Sequence, residues 1–208
     1  MAKKLFLYPV WIRIWHIINA VLFLILIFTG IALQFAGKST DASLMRFDQA
    51  IAWHNTIAII LIGNYIIFIL GNIMGVNSKH YKIKKKNFFK DLIIQAKFYA
   101  FGMFKKEAHP FPVTADSKFN PLQKLFYVLV MYLGMPVLIL SGLGLLFPEL
   151  LIKQFFGVSG LLMADIVHIS IGFLLSVFLA IHIYTCTLGD KPTTLFKSMI
   201  NGYHEEHD

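Results

Sequence analysis

The chain has 208 residues, of which 57% are hydrophobic and only 14% charged, with a formal net charge of +8 and a mean hydropathy of +0.68. Soluble domains carry about 25% charged residues, so this composition excludes an ordinary soluble enzyme and indicates one integral membrane domain, residues 1–208. The single cysteine, Cys186, excludes an internal disulfide and a Cys-ligated iron–sulfur cluster.

A helix needs about 20 apolar residues to cross a hydrocarbon core of about 30 Å. Four stretches are long enough: 11–35, 51–76, 122–147 and 161–188. None shows the alternation of a barrel strand, so the expected fold is an all-α bundle of four transmembrane helices.

The first stretch follows Lys3 and Lys4, but its apolar run is longer than the h-region of about 7 to 15 residues in a signal peptide. It is expected to be the first membrane helix. Its first turns carry Arg13 and His16, and Gly30 follows fourteen residues after that histidine, on the same face. Gly30 there either makes room for a cofactor or serves helix packing.

The second stretch carries His54 near its start. Residues 77–120 follow, with ten lysines (Lys79, Lys82, Lys84, Lys85, Lys86, Lys90, Lys97, Lys105, Lys106 and Lys118) against Asp91, Glu107 and Asp116. Attraction to anionic headgroups accounts for this charge, and no nucleic-acid partner is expected. Residues 88–104 carry apolar side chains at helical spacing, which predicts an interfacial amphipathic helix.

The third stretch is preceded by Asn120 and Pro121, an N-cap with proline at the first helical position. It has no histidine; Gly134, Gly142 and Gly144, with Gly172 on the fourth stretch, are read as helix contacts. The fourth holds Asp165, His168 and His182. Trp11, Trp15, Trp53, Tyr81, Tyr127 and Tyr184 fall near span ends, where aromatic anchors settle.

Of 19 Lys and Arg residues, only Lys38, Arg46 and Lys153 lie in the two connections on one side, leaving 16 on the other. The positive-inside rule then puts both termini in the cytoplasm. Helix directions follow, so His16 and His182 share the inner depth, and His54 and His168 the outer. At 100° and 1.5 Å per residue, the fourteen residues from His168 to His182 turn the helix by four turns less about 40° and rise about 21 Å. Both imidazoles therefore share one face. Each depth supplies two imidazoles, the axial pair of a six-coordinate haem b. Two haems per chain are expected, ligated by His54/His168 and His16/His182.

Arg13, one turn before His16, is placed either to pair with a haem propionate or to anchor the helix at the interface. His80, His109, His204 and His207 fall in connections or the tail and are expected to be solvated rather than ligating. A competing class is a proton or solute transporter with a histidine relay, which predicts a colourless protein. Against it, Asp165 is the one acidic residue evident in the spans, and no repeat symmetry appears.

Several motifs carry a family resemblance: Arg13-Ile14-Trp15-His16, Asn120-Pro121-Leu122-Gln123-Lys124, Ser141-Gly142, His182-Ile183-Tyr184, and the tail 196–203. Together with the histidine order they resemble the bacterial cytochrome b561 and Ni,Fe-hydrogenase cytochrome b family, over all four helices. The likeness is to membrane subunits of formate dehydrogenase, thiosulfate reductase and hydrogenase complexes. It implies a dihaem subunit of the bacterial inner membrane that exchanges electrons between quinone and a periplasmic iron–sulfur or multihaem cytochrome subunit. It also implies a quinone site beside His182 using the amides of Asn120 and Gln123, although Pro121 and Leu122 stand where family sites often have a small residue. Within the same family, the alternative is a stand-alone superoxide:quinone oxidoreductase.

Overall fold

The computed structural model describes residues 3–35, 45–83, 87–105, 107–189 and 191–206. Lys38, Lys84, Lys85, Lys86, Lys106 and His207, which entered the charge and histidine arguments, lie outside the described residues. Four spans are long and apolar enough to cross a membrane: α1 (Val10–Phe35), α2 (Phe47–Met74), a composite third span (Pro121–Leu146) and α6 (Gly160–Cys186). All four overlap the expected stretches within a few residues.

The largest boundary difference is at α2, which starts four residues early. Asp48 sits in its first turn, where a carboxylate suits the positive end of the helix dipole. Arg46 donates to both oxygens of Asp48 at 3.1 and 3.0 Å. Polarity at 46–49 hides this turn from a hydropathy reading.

The third span is α4 (Pro121–Leu129) and α5 (Met135–Leu146) joined by a π-helical turn, Val130–Gly134. The wider turn has a local cause. Met135 N–H donates to Val130 O, one residue further back than an α-helix would, and Pro136 next in line has no N–H to give. Met131 O therefore loses its intrahelical donor, and Tyr65 O–H from α2 donates to it at 2.7 Å. An unpaired carbonyl in hydrocarbon costs several kcal/mol on the order of magnitude given by transfer data, so this contact fixes α2 against the bulge.

Leu22, Ile57, Leu61, Met135 and Leu175 form one buried cluster drawn from all four spans. A second cluster joins Ile12 and Trp15 to the fully buried Phe68, with Trp15 stacked on Phe68 at 4.5 Å. Trp15 Nε1–H donates to Asn64 O at 2.8 Å. Trp15 is thus an internal strut rather than an interfacial anchor, because its one donor finds a carbonyl inside the bundle. Tyr81 likewise packs inward on Phe68 and Tyr132, whereas Trp53 and Tyr184 are exposed as anchors should be.

Outside the membrane segments, α3 (Phe88–Lys97) continues through a π turn (Phe98–Gly102) and a 3-10 turn (Met103–Lys105), so the expected helix at 88–104 is helical with changing pitch. It packs on α4. After α6 comes α7 (Thr194–Asn201), closed by Gly202 at φ 89°. Strand β1 (Lys3–Phe6) pairs antiparallel with β4 (Tyr203–Glu206), Lys3 opposite Glu206 and Lys4 opposite Glu205. That ribbon holds both ends of the chain on one side of the bundle. On the other side, β2 (Gln154–Phe155) and β3 (Val158–Ser159) form a hairpin turning at Phe156 (φ 49°) and Gly157 (φ 78°).

Candidate functional site

Three helices bring the four span histidines together as two facing pairs. His54 on α2 and His168 on α6 have ring centres 6.2 Å apart, their planes at 77°. His16 on α1 and His182 on α6 have ring centres 6.1 Å apart at 58°. A first-row metal–imidazole bond of about 2 Å, with the ring centre about 1.1 Å beyond the nitrogen, sets two trans imidazole centres about 6.3 Å apart. Both pairs therefore leave the gap that one metal with two axial imidazoles requires. Among the described residues no three His, Cys, Asp or Glu side chains converge as a metal-binding group, so these sites offer two protein ligands each.

Hydrogen bonds at the outer pair engage the Nδ1 of each histidine. Thr29 is buried and its hydroxyl donates to Ile25 O at 2.9 Å. Thr29 Oγ1 lies 2.8 Å from His54 Nδ1, and with its proton given to Ile25 O it is the acceptor of that pair. Ser141 repeats the arrangement on α5: Oγ donates to Val137 O at 2.8 Å and lies 3.2 Å from His168 Nδ1. Leu138 O is a second acceptor for that Nδ1–H at 3.2 Å. The Leu138 carbonyl can only accept, so His168 donates from Nδ1; with His54 in the same tautomer, both would keep a lone pair on Nε2, the state in which histidine ligates a metal with an oriented ring.

Glycines make the room. A Cβ on Gly142 would lie 2.9 Å from His168 Cε1, and one on Gly30 3.5 Å from His54 Cε1. The sequence reading took Gly142 as a general helix contact, whereas the structure seats it directly against His168. Each outer imidazole thus meets a hydroxyl–glycine dipeptide, Thr29-Gly30 or Ser141-Gly142. That recurrence was the signal by which Thr29 and Ser141 were findable in the sequence.

The inner pair is held differently. Tyr127 O–H lies 3.3 Å from His182 Nδ1, and Phe178, one turn earlier, stacks on the His182 ring at 5.9 Å and 17°. Cys186 Sγ, one turn later, is 3.9 Å from His182 Nε2. Tyr127, expected at the interface as an anchor, instead touches a candidate ligand because α4 turns that face inward.

Arg13 Nη1 donates to Ile200 O at 2.7 Å, a carbonyl in the last turn of α7 where a cation is favoured. Asn120 and Gln123 form a capping box: Gln123 N–H donates to Asn120 Oδ1 at 2.9 Å and Asn120 N–H to Gln123 Oε1 at 3.2 Å. Asn120 Nδ2 donates to Tyr99 O–H at 2.7 Å. Asn120 is therefore engaged on both ends of its amide, and Gln123 lies on the helix face that also carries Tyr127, one turn on.

One connection histidine departs from the expectation of solvation. His80 is only 4% exposed, covered by Phe119, and burial together with Lys118, Lys79 and Lys124 holds it down to about 4. His109 is exposed, as expected of a loop histidine, with its ring centre 4.6 Å from that of Phe98. The turn following α2 folds back on the bundle, which a view of loops as solvated segments misses.

The family profile described as "Prokaryotic cytochrome b561" matches residues 7–202 of the chain. The chain belongs to the prokaryotic cytochrome b561 family. Its relatives include the protein named "Putative cytochrome YdhU" of Escherichia coli (strain K12), 38% identical over 203 residues, covering 98% of this chain and 76% of that protein. No solved structure matches the chain. A cytochrome b561 is a membrane protein of prokaryotes that carries electrons by means of haem b, and the four apolar helices fit a multi-pass protein of the inner membrane. The facing imidazoles are the donor set that haem b takes.

Proposed function

We propose that this cytochrome b561 binds two haems b, one between His54 and His168 and one between His16 and His182, and transfers electrons between membrane quinone and a redox partner on the periplasmic side. The observation that carries this is the pair of imidazole gaps, 6.1 and 6.2 Å between ring centres, at two depths about 21 Å apart by helix rise. A haem b held by each pair supplies a one-electron site whose potential follows from its ligands, hydrogen bonds and burial.

The chain's own residues do the rest. Thr29 and Ser141 keep the outer imidazoles in the ligating tautomer and in fixed orientation. Tyr127 and Phe178 position His182 at the inner depth. The Gln123 amide, on the Tyr127 face, is the group left to donate to a quinone oxygen near His182, while Asn120 orders the helix start that carries it. Release of quinol protons at this end, on the side of both termini, puts them in the cytoplasm under the positive-inside orientation. The periplasmic partner is an iron–sulfur or multihaem cytochrome subunit that docks on the side of the β2–β3 hairpin.

The test is a haem-to-protein ratio with a reduced-minus-oxidised spectrum on purified protein, repeated for His54→Ala and His182→Ala. Two b-type haems per chain, with one lost in each variant, is the expected result. A single haem in the wild type, or loss of both in either variant with the helical fold intact, overturns it.

A further inference from the structure

At the end of the bundle where both termini lie, a cleft of about 360 Å³ opens between the amino-terminal segment and the turn after α2. Its polar wall is Asn77, Lys79, His80 and Lys118, and its apolar wall is Phe6, Leu7, Pro9 and Trp11. Neither the histidine pairs nor the capping box contributes to it.

The polar wall is incomplete as it stands. His80 is 4% exposed and its Nδ1 is buried with no hydrogen-bond partner. Lys118 is 8% exposed, and its ammonium group donates to a neutral acceptor, Asn77 Oδ1, at 3.2 Å and lies 5.5 Å from the centre of the Tyr8 ring. Among the described residues no carboxylate pairs with Lys118. The one acid at the cleft's edge, Asp116, is taken by Lys79 at 3.3 Å and is itself largely in solvent. Burial and the neighbouring Lys79 lower Lys118 to about 8, so at neutral pH it remains a cation. A buried cation without a counter-charge and a buried nitrogen without a partner each cost stability unless something completes them.

We infer that this cleft binds a phosphate group, with Lys118 and Lys79 supplying charge and a rotation of the His80 ring bringing its buried, unpartnered Nδ1 to the phosphate oxygens. An oxyanion accepts several donors at once, as Lys-bound phosphates do. The cleft lies at the rim of the spans, since α1 begins at Val10 and α2 ends at Met74, the depth of lipid headgroups. Its apolar wall suits the glycerol and first methylenes of an anionic phospholipid, and a soluble phosphate compound offers the same chemistry to the polar wall. The site would tie the amino-terminal segment, the turn after α2 and residues 115–118 to the membrane surface.

The full-length protein is purified, exchanged into detergent with phosphatidylglycerol or with diacylglycerol of the same chains, and examined by native mass spectrometry. One phosphatidylglycerol is expected to be retained above the diacylglycerol level. Retention should fall about fivefold or more in Lys118→Gln, by the roughly 1 kcal/mol that one Lys contributes near an anionic headgroup, fall also in His80→Gln, and persist in Lys118→Arg and in a control, Lys105→Gln. Loss of the lipid on adding millimolar inorganic phosphate assigns the cleft to a soluble phosphate compound, and persistence assigns it to lipid; both uphold a phosphate site. Equal retention of phosphatidylglycerol and diacylglycerol overturns it. So does unchanged retention in both Lys118→Gln and His80→Gln. Circular dichroism of each variant identifies a folding failure, and His80→Gln then carries the test for Lys118→Gln.

Discussion

At the scale of single residues, the outer site rests on two hydroxyls whose own protons are committed to a carbonyl one turn back. With those protons given to the carbonyls, Thr29 and Ser141 act as acceptors for the imidazoles. Replacing the hydroxyl by an apolar group of similar shape leaves the Nδ1–H partner missing and the ring free to rotate. Thr29→Val is expected to lower haem affinity at the outer pair by about 10-fold to 100-fold, with inner-pair binding unchanged, measured by titrating haem into protein prepared without it. Gly142→Ala, whose Cβ would sit 2.9 Å from His168 Cε1, should do the same by displacing the ring. Gly172→Ala, whose Cβ meets Leu138 at an ordinary 3.8 Å, should leave both sites intact.

At the scale of elements, the third span depends on a partnership across helices. Pro136 removes a donor and widens the preceding turn, and Tyr65 from α2 fills the vacancy at Met131 O. Tyr65→Phe, which leaves Met131 O without its donor, should destabilise the bundle by about 1–3 kcal/mol. Pro136→Ala supplies an N–H and lets the turn return to α geometry, so Tyr65→Phe should cost much less in that background. Denaturant titration in mixed micelles of the two single variants and the double variant measures the coupling. Additive losses would show that the tyrosine acts by packing alone. Because π turns commonly occur at functional places in helices, it is notable that this one sits on the span between Tyr127, beside His182, and Ser141, beside His168.

At the scale of the molecule, an even number of spans and the β1–β4 ribbon put both ends on one side, with the β2–β3 hairpin on the other. Lysine distribution predicts that the first side faces the cytoplasm. Single cysteines in a Cys186→Ala background test this: Asn87→Cys should react with an impermeant maleimide only after the cells are opened, and Ser159→Cys should react in intact spheroplasts. The reverse pattern would invert the proposed electron path, placing the capping box and Tyr127 on the periplasmic side.

The number of spans, their helical nature and the family were legible in the sequence, as was the matching depth of His54 with His168 and of His16 with His182, whose ring centres lie 6.2 and 6.1 Å apart. These follow from quantities local to the chain: apolar run length against bilayer thickness, the helical repeat, and lysine placement. The four histidines faced each other as expected because a rigid helix converts spacing directly into depth and face. What the tertiary structure decided was every contact that depends on how one helix is rotated against another. Thr29 and Ser141 look like ordinary span residues until their hydroxyls meet His54 and His168. Trp15 and Tyr127 look like interfacial anchors until they are found turned inward. His80 and Lys118 look like loop residues until the turn after α2 folds under the bundle and leaves a buried cation and an unpartnered nitrogen side by side. In lipid, where apolar side chains gain little by facing either the bundle or the tails, hydropathy does not fix a helix's rotation. Packing and hydrogen bonds between helices do, and they are long-range in the chain.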